Sequence, residues 1–182
     1  MEEIKKLYYK NGQVEREVYC KNNQIHRENE PAAIFYDQYG IIQHEEYWIN
    51  DNIHREDGPA EIFYFKDGKI KLELYYLNGK KHREDGPAEI FYFKDGMISI
   101  EAFFNVDNVY REDGPTMIGY HKNGQKECEV YSIHSKQYKE NGLSFIHYHL
   151  NGEIEKKEYY INGEERKKQL IIMMGKNHIF ED

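Results

Sequence analysis

Apolar and polar residues alternate along much of this chain in short runs broken by polar corners. Lys69-Ile70-Lys71-Leu72-Glu73-Leu74 alternates with period two, as does Met97-Ile98-Ser99-Ile100-Glu101-Ala102, and that period marks a half-buried β-strand. Ahead of the first stands a short aromatic and β-branched run, Ala60-Glu61-Ile62-Phe63-Tyr64-Phe65, which predicts its partner strand. Asp67-Gly68 lies between them, as Asn-Gly or Asp-Gly does at equivalent places elsewhere. Such dipeptides predict a hairpin corner, because a type I′ turn needs positive φ at both central residues. A polar, turn-forming stretch such as Asn78-Gly79-Lys80-Lys81-His82-Arg83-Glu84-Asp85-Gly86-Pro87 links one hairpin to the next. The pattern therefore predicts successive hairpins and almost no helix. Glu164 to Met174 alone reads as either a terminal helix or a last strand.

The corners recur every 28 residues: Ile53 to Gly68 reads IHREDGPAEIFYFKDG and Lys81 to Gly96 reads KHREDGPAEIFYFKDG. Gly12, Gly40, Gly68, Gly96, Gly124 and Gly152 fill one column without exception, and Tyr8, Tyr36, Tyr64, Tyr92, Tyr120 and Tyr148 fill another. A third holds Tyr19, Tyr47, Tyr75, Phe103, Tyr131 and Tyr159, and all four prolines share a single column. A repeat of this kind predicts units that bury their apolar faces against their neighbours. The expected fold is all-β, an elongated single-layer antiparallel sheet of about six hairpin units over residues 1–165. Residues 166–182 are expected to form a cap, as a strand or short helix. Toward the ends the apolar slots turn polar, with Arg16 in the first unit and Lys156 and Glu158 in the last, as capping repeats require.

Composition sharpens the picture. Only 39% of the 182 residues are hydrophobic, yet 15% are aromatic and 17 are tyrosine, which argues against a disordered chain. Amphipathic rings are expected to do the packing in a thin structure. The net charge of −8 disfavours nucleic acid as the ligand, and the short cluster Arg166-Lys167-Lys168 reads as a solvated end. Cys20 and Cys128 stand far apart without metal-ligand spacing, pointing to a reducing compartment. No apolar run approaches membrane-span length and the first residues form no signal-peptide core. A soluble, cytoplasmic protein is the expectation.

His-Arg-Glu-Asp has the letters of a kinase catalytic loop, but a catalytic loop does not come in several copies, and the other kinase elements are missing. No catalytic residue and no cofactor is expected. His26, His54 and His82 share a column, yet equivalent strands two apart lie about 9–10 Å from one another. Zinc ligands must sit within a few ångströms, so the column predicts no metal site. The loops therefore read as structural. Asp57, Asp85 and Asp113 are expected to accept backbone N–H groups, with the following glycine at positive φ and proline setting the exit. Arg55 and Glu84, in adjacent copies, are expected to pair between loops, and Arg83 and Arg111 repeat the Arg55 position. The third aromatic column supplies the candidate partner-binding residues Tyr47, Tyr75, Phe103 and Tyr131, since such rings are enriched at interface hot spots. Trp48, the only tryptophan, joins them because it departs from its own column.

Units such as Tyr8-Tyr9-Lys10-Asn11-Gly12-Gln13-Val14-Glu15-Arg16-Glu17-Val18-Tyr19 and Tyr159-Tyr160-Ile161-Asn162-Gly163 resemble the MORN family, specifically the MORN-variant repeat of bacterial and large-virus proteins. The resemblance covers roughly residues 7–165. It implies rows of hairpins used for protein contacts or, in some members, membrane association; some bacterial relatives are labelled antitoxin-like, and a viral origin would place the chain in host cytoplasm or virion. The family supplies no catalytic residues. The expected function is a non-enzymatic scaffold for protein–protein interaction or assembly, possible as an inhibitor of its partner, with self-association through sheet edges open to it. The alternatives are a peripheral membrane scaffold, which the acidic charge opposes, and a metal-binding or enzymatic repeat protein.

Overall fold

The computed structural model describes residues 1–109, 111, 114–131, 143–161 and 164–165. All regular structure among them is β. Six hairpins follow one another: β1 (Glu2–Tyr8) with β2 (Val14–Lys21), β3 (Ala33–Tyr36) with β4 (Ile42–Glu46), and β5 (Glu61–Tyr64) with β6 (Ile70–Leu74). The others are β7 (Glu89–Tyr92) with β8 (Ile98–Ala102), β9 (Met117–Tyr120) with β10 (Lys126–Val130), and β11 (Leu143–Tyr148) with β12 (Ile154–Ile161). Each strand pairs antiparallel with the next, so the twelve run in sequence order through one 14-stranded sheet that does not close on itself. The two additional strands are short, Gln24–Ile25 beside β2 and Glu164–Glu165 beside β12. The latter settles the start of the ambiguous C-terminal segment as strand; residues 166–182 lie outside the described residues.

The expected type I′ turns at the glycine column are corrected by the backbone. Gly12 N–H bonds Tyr9 C=O at 2.9 Å and Tyr9 N–H bonds Gln13 C=O at 2.9 Å, closing a three-residue loop. Only the glycine has positive φ (85°), while Asn11 does not. This is a tight turn followed by a left-handed glycine and a bulge. Asn and Asp act here through their side chains. The carboxamide or carboxylate oxygen of Asn11, Asp67, Asp95, Asn123 and Asn151 accepts the N–H two residues on, at 3.0–3.3 Å. Where Tyr39 breaks the pattern, Asp37 takes over and accepts from both Tyr39 and Ile41. The register shifts just before the invariant tyrosine in every unit, as between Phe63 and Tyr64, and once more in the last unit, between Leu143 and Phe145.

Type I′ geometry appears instead at the second corner, inside the polar, turn-forming link between hairpins. Asn22 and Asn23, Asn50 and Asp51, Asn78 and Gly79, and Val106 and Asp107 all have paired positive φ. The last three pairs close two-residue hairpins between Trp48–Ile49 and Asn52–Ile53, Tyr76–Leu77 and Lys80–Lys81, and Phe104–Asn105 and Asn108–Val109. These small hairpins latch one unit to the previous one: Asp51 N–H bonds Ile25 C=O at 3.0 Å while Asp51 Oδ1 accepts Ile25 N–H at 2.7 Å.

Burial follows the columns. Ala32, Ala60 and Ala88 are wholly buried and Thr116 nearly so, directly after each proline. Ile34, Ile62, Ile90, Ile118 and Ile146 form a buried row, and Leu74, Ala102 and Val130 another. Strand alternation puts these two rows on opposite faces, since Ile62 pairs with Glu73 while Glu61 pairs with Leu74. The sheet thus packs thinly on both sides. Every residue of β1 is exposed, as expected of an end unit.

Candidate functional site

A lattice of tyrosine, glutamate and arginine builds one face. Glu17, Glu45, Glu73, Glu101 and Glu129 form a column in the second strand of their units. Each accepts the hydroxyl of the invariant tyrosine one unit on: Tyr36, Tyr64, Tyr92, Tyr120 and Tyr148, at 2.5–3.3 Å. Burial and the neighbouring carboxylate push the Tyr36 hydroxyl up to about 12 and raise those of Tyr64, Tyr92, Tyr120 and Tyr148 further. Burial works to raise the Glu129 carboxyl, but bonds from Lys126, Tyr148 and Tyr131 outweigh it and hold the group below its ordinary range.

The third aromatic column lies beside this ladder, and its first four rings are each capped by the arginine of the loop that follows. Arg27 stacks on Tyr19 at 3.8 Å, and Arg55, Arg83 and Arg111 stack on Tyr47, Tyr75 and Phe103 at 4.0 Å. Arg27, Arg55 and Arg83 also donate to the carbonyls of Pro31, Pro59 and Pro87. The structure therefore brings Tyr47, Tyr75, Phe103 and Tyr131 into one row but leaves them half-buried, with Tyr131 donating to Glu129 at 3.0 Å. Trp48 stands apart from that row and donates its indole N–H to Glu46 at 2.8 Å.

Two expectations for the loops change. Arg55 binds Asp57 of its own loop at 2.8 Å, not Glu84 of the next, and this guanidinium holds the Asp57 carboxyl below its ordinary range. Gly58 and Gly86 do not lie in the left-handed region. A Cβ there would stand 3.0 Å from the Arg55 guanidinium carbon, or 3.3 Å from that of Arg83, so a side chain would press on the stacked guanidinium. His26 and His54 serve as latches: their Nδ1 atoms accept the N–H of Asn50 and Asn78 from the next unit's corner, at 3.3 and 3.2 Å. Asp113 lies outside the described residues.

Several of these predicted residues meet in a groove of about 490 Å³ between two successive loops. His82, Arg83, Glu84, Asp85 and Gly86 form one wall, and Phe103, Phe104, Asn105 and Arg111 the other. Sequence reasoning named most of this set one at a time and missed Phe104, which stands in the Trp48 column. No family model matches the chain. No curated protein matches it either.

A second constellation escaped sequence reasoning altogether. His44 Nε2 lies 3.1 Å from Glu61 Oε1 and 3.7 Å from Glu46 Oε1. The imidazole is stacked between Phe35, at 4.9 Å, and Phe63, at 3.9 Å. Burial pushes the Glu46 carboxyl up, opposed by the Trp48 bond and by His44. The signal was present in the columns: His44 and Glu46 occupy positions that hold Leu72 and Leu74 in the next unit.

Proposed function

We propose that this chain is a non-enzymatic repeat scaffold that binds a protein partner across its loop groove, in line with its resemblance to MORN-variant repeats. The observation that carries the reading is the groove's composition: Phe103 and Phe104 flanked by Arg83 and Arg111. Aromatic rings and arginine are the groups enriched in interface hot spots. Stacking on Tyr75 and Phe103 orients the two guanidiniums in advance, so little side-chain freedom remains to be lost on binding. Their remaining N–H donors suit a partner segment that presents a carboxylate beside an apolar side chain.

The partner is to be isolated on the full chain from its native source, purified, and titrated against variants. Phe104→Ala is expected to weaken binding by about 2 kcal/mol, the scale of a hot-spot truncation. Lys71→Ala, exposed at the bulge of another unit, is expected to leave affinity unchanged. Equal affinity for Phe104→Ala and the parent chain overturns the assignment of the groove.

A further inference from the structure

On strand geometry alone, Glu46 and Glu61 are misplaced. They are direct cross-strand partners between β4 and β5, and like charges in that position are destabilising. One unit later the same pair is Leu74 opposite Glu89, with a single carboxylate. That carboxylate is answered by the Lys81 ammonium, whereas the residue 28 earlier than Lys81 is Ile53. The second unit has thus doubled the negative charge and lacks the lysine that balances it in the third. In place of the lysine it carries His44.

We infer that His44 Nε2 and one carboxylate oxygen each from Glu46 and Glu61 form a binding site for a divalent, zinc-class cation. The three donor atoms lie within 4.8 Å of one another. Zinc at about 2.0–2.1 Å from nitrogen and oxygen ligands in a tetrahedron sets donors about 3.3 Å apart, and the measured separations from Nε2 are 3.1 and 3.7 Å. Charge also favours a dication. A proton on His44 balances one of the two carboxylates, and Arg16, whose charge reaches Glu46, stacks on Phe35 at 5.8 Å. A dication balances both carboxylates with the imidazole neutral, the form that ligates.

The surroundings hold the donors in place. Phe35 and Phe63 clamp the His44 ring, and Trp48 holds the second oxygen of Glu46, the kind of outer contact that orients metal ligands. Side-chain exposures of 14%, 16% and 15% for His44, Glu46 and Glu61 leave the fourth position within reach of water. This site is independent of the loop groove, and neither assignment depends on the other.

The full chain, stripped with a chelator, is titrated with zinc chloride by calorimetry and by the emission of Trp48. One equivalent per chain is expected to bind and to shift that emission, because the indole is bonded to a ligand. Glu61→Gln and His44→Gln are each expected to weaken binding by more than about 100-fold, beyond the loss from an outer contact. Ile53→Lys, which copies the lysine of the following unit, should abolish binding while far-UV circular dichroism stays that of the parent. His54→Gln, in the latch column, should bind as the parent does. Absence of a one-equivalent event, unchanged binding in Glu61→Gln and Ile53→Lys, or equal loss in His54→Gln overturns the site.

Discussion

At residue 106 the repeat carries valine where the equivalent corners have Asn22, Asn50 and Asn78. Its φ is 47°, a region that β-branched residues rarely occupy because Cβ crowds the backbone. The corner is also where the latch fails. His26 and His54 each accept an N–H from the following corner, but among the described residues Nδ1 of His82 is buried without a partner. Val106→Asn is expected to stabilise the protein by about 1 kcal/mol through relief of this strain. Urea unfolding should show it as a higher midpoint at unchanged slope. An unchanged or lower midpoint would show that the valine costs nothing.

Between elements, the tyrosine–glutamate ladder joins each unit to the next alongside the strand pairing and the corner latches. A tyrosine whose folded pKa is raised keeps its proton longer in the folded state than in the unfolded one. Its contribution to stability is therefore complete below the unfolded pKa of about 10 and is lost as pH rises through the folded value. Tyr36 is pushed to about 12 and the other rungs further, so the loss begins above about pH 10 and runs to pH 12 and beyond. The share of tyrosinate absorbance that belongs to the five rungs, obtained by difference from Tyr→Phe variants at those positions, is expected to appear together with loss of the far-UV sheet signal. Titration of these hydroxyls near pH 10 with the sheet intact would remove the ladder as a stabilising element. Glu17 moves the opposite way: the Lys6 bond holds its carboxyl down at one end of the ladder, so its contribution is present above the ordinary carboxylate pKa and is lost in acid.

At the scale of the whole molecule, the twelve hairpin strands of the described residues pair in sequence order, so stability is close to a sum of unit and interface terms. Excision of residues 57–84 removes one full period and joins Glu56 to Asp85, restoring His-Arg-Glu-Asp-Gly-Pro. The shortened chain is expected to fold, with an unfolding slope lower by about one sixth, as the area exposed on unfolding falls in proportion. Excision of residues 63–89 joins Ile62 to Ile90 inside a strand and leaves the columns out of phase, since a one-residue slip turns each side chain to the other face. That chain should lose cooperative unfolding. Equal behaviour of the two excisions would contradict a one-dimensional array.

The 28-residue spacing and the period-two runs were enough to determine an open antiparallel meander, because a single hairpin unit cannot bury its face alone and only stacking in sequence order satisfies all copies. The aromatic column and the HREDGP loops were also legible as sets. Turn type was not. Asn-Gly is compatible with both a two-residue and a three-residue corner, and the choice depends on whether the strands beyond it can absorb a bulge, which they do before each tyrosine. The partners of Arg55 and Glu73 were equally hidden, since hydrogen bonds 19 residues apart and a guanidinium resting over a ring need the pleat and twist of neighbouring units. The pairing of Glu46 with Glu61 belongs to the same class. A chain read by itself shows two ordinary acidic residues, and only the register of β4 against β5 sets their charges face to face beside His44.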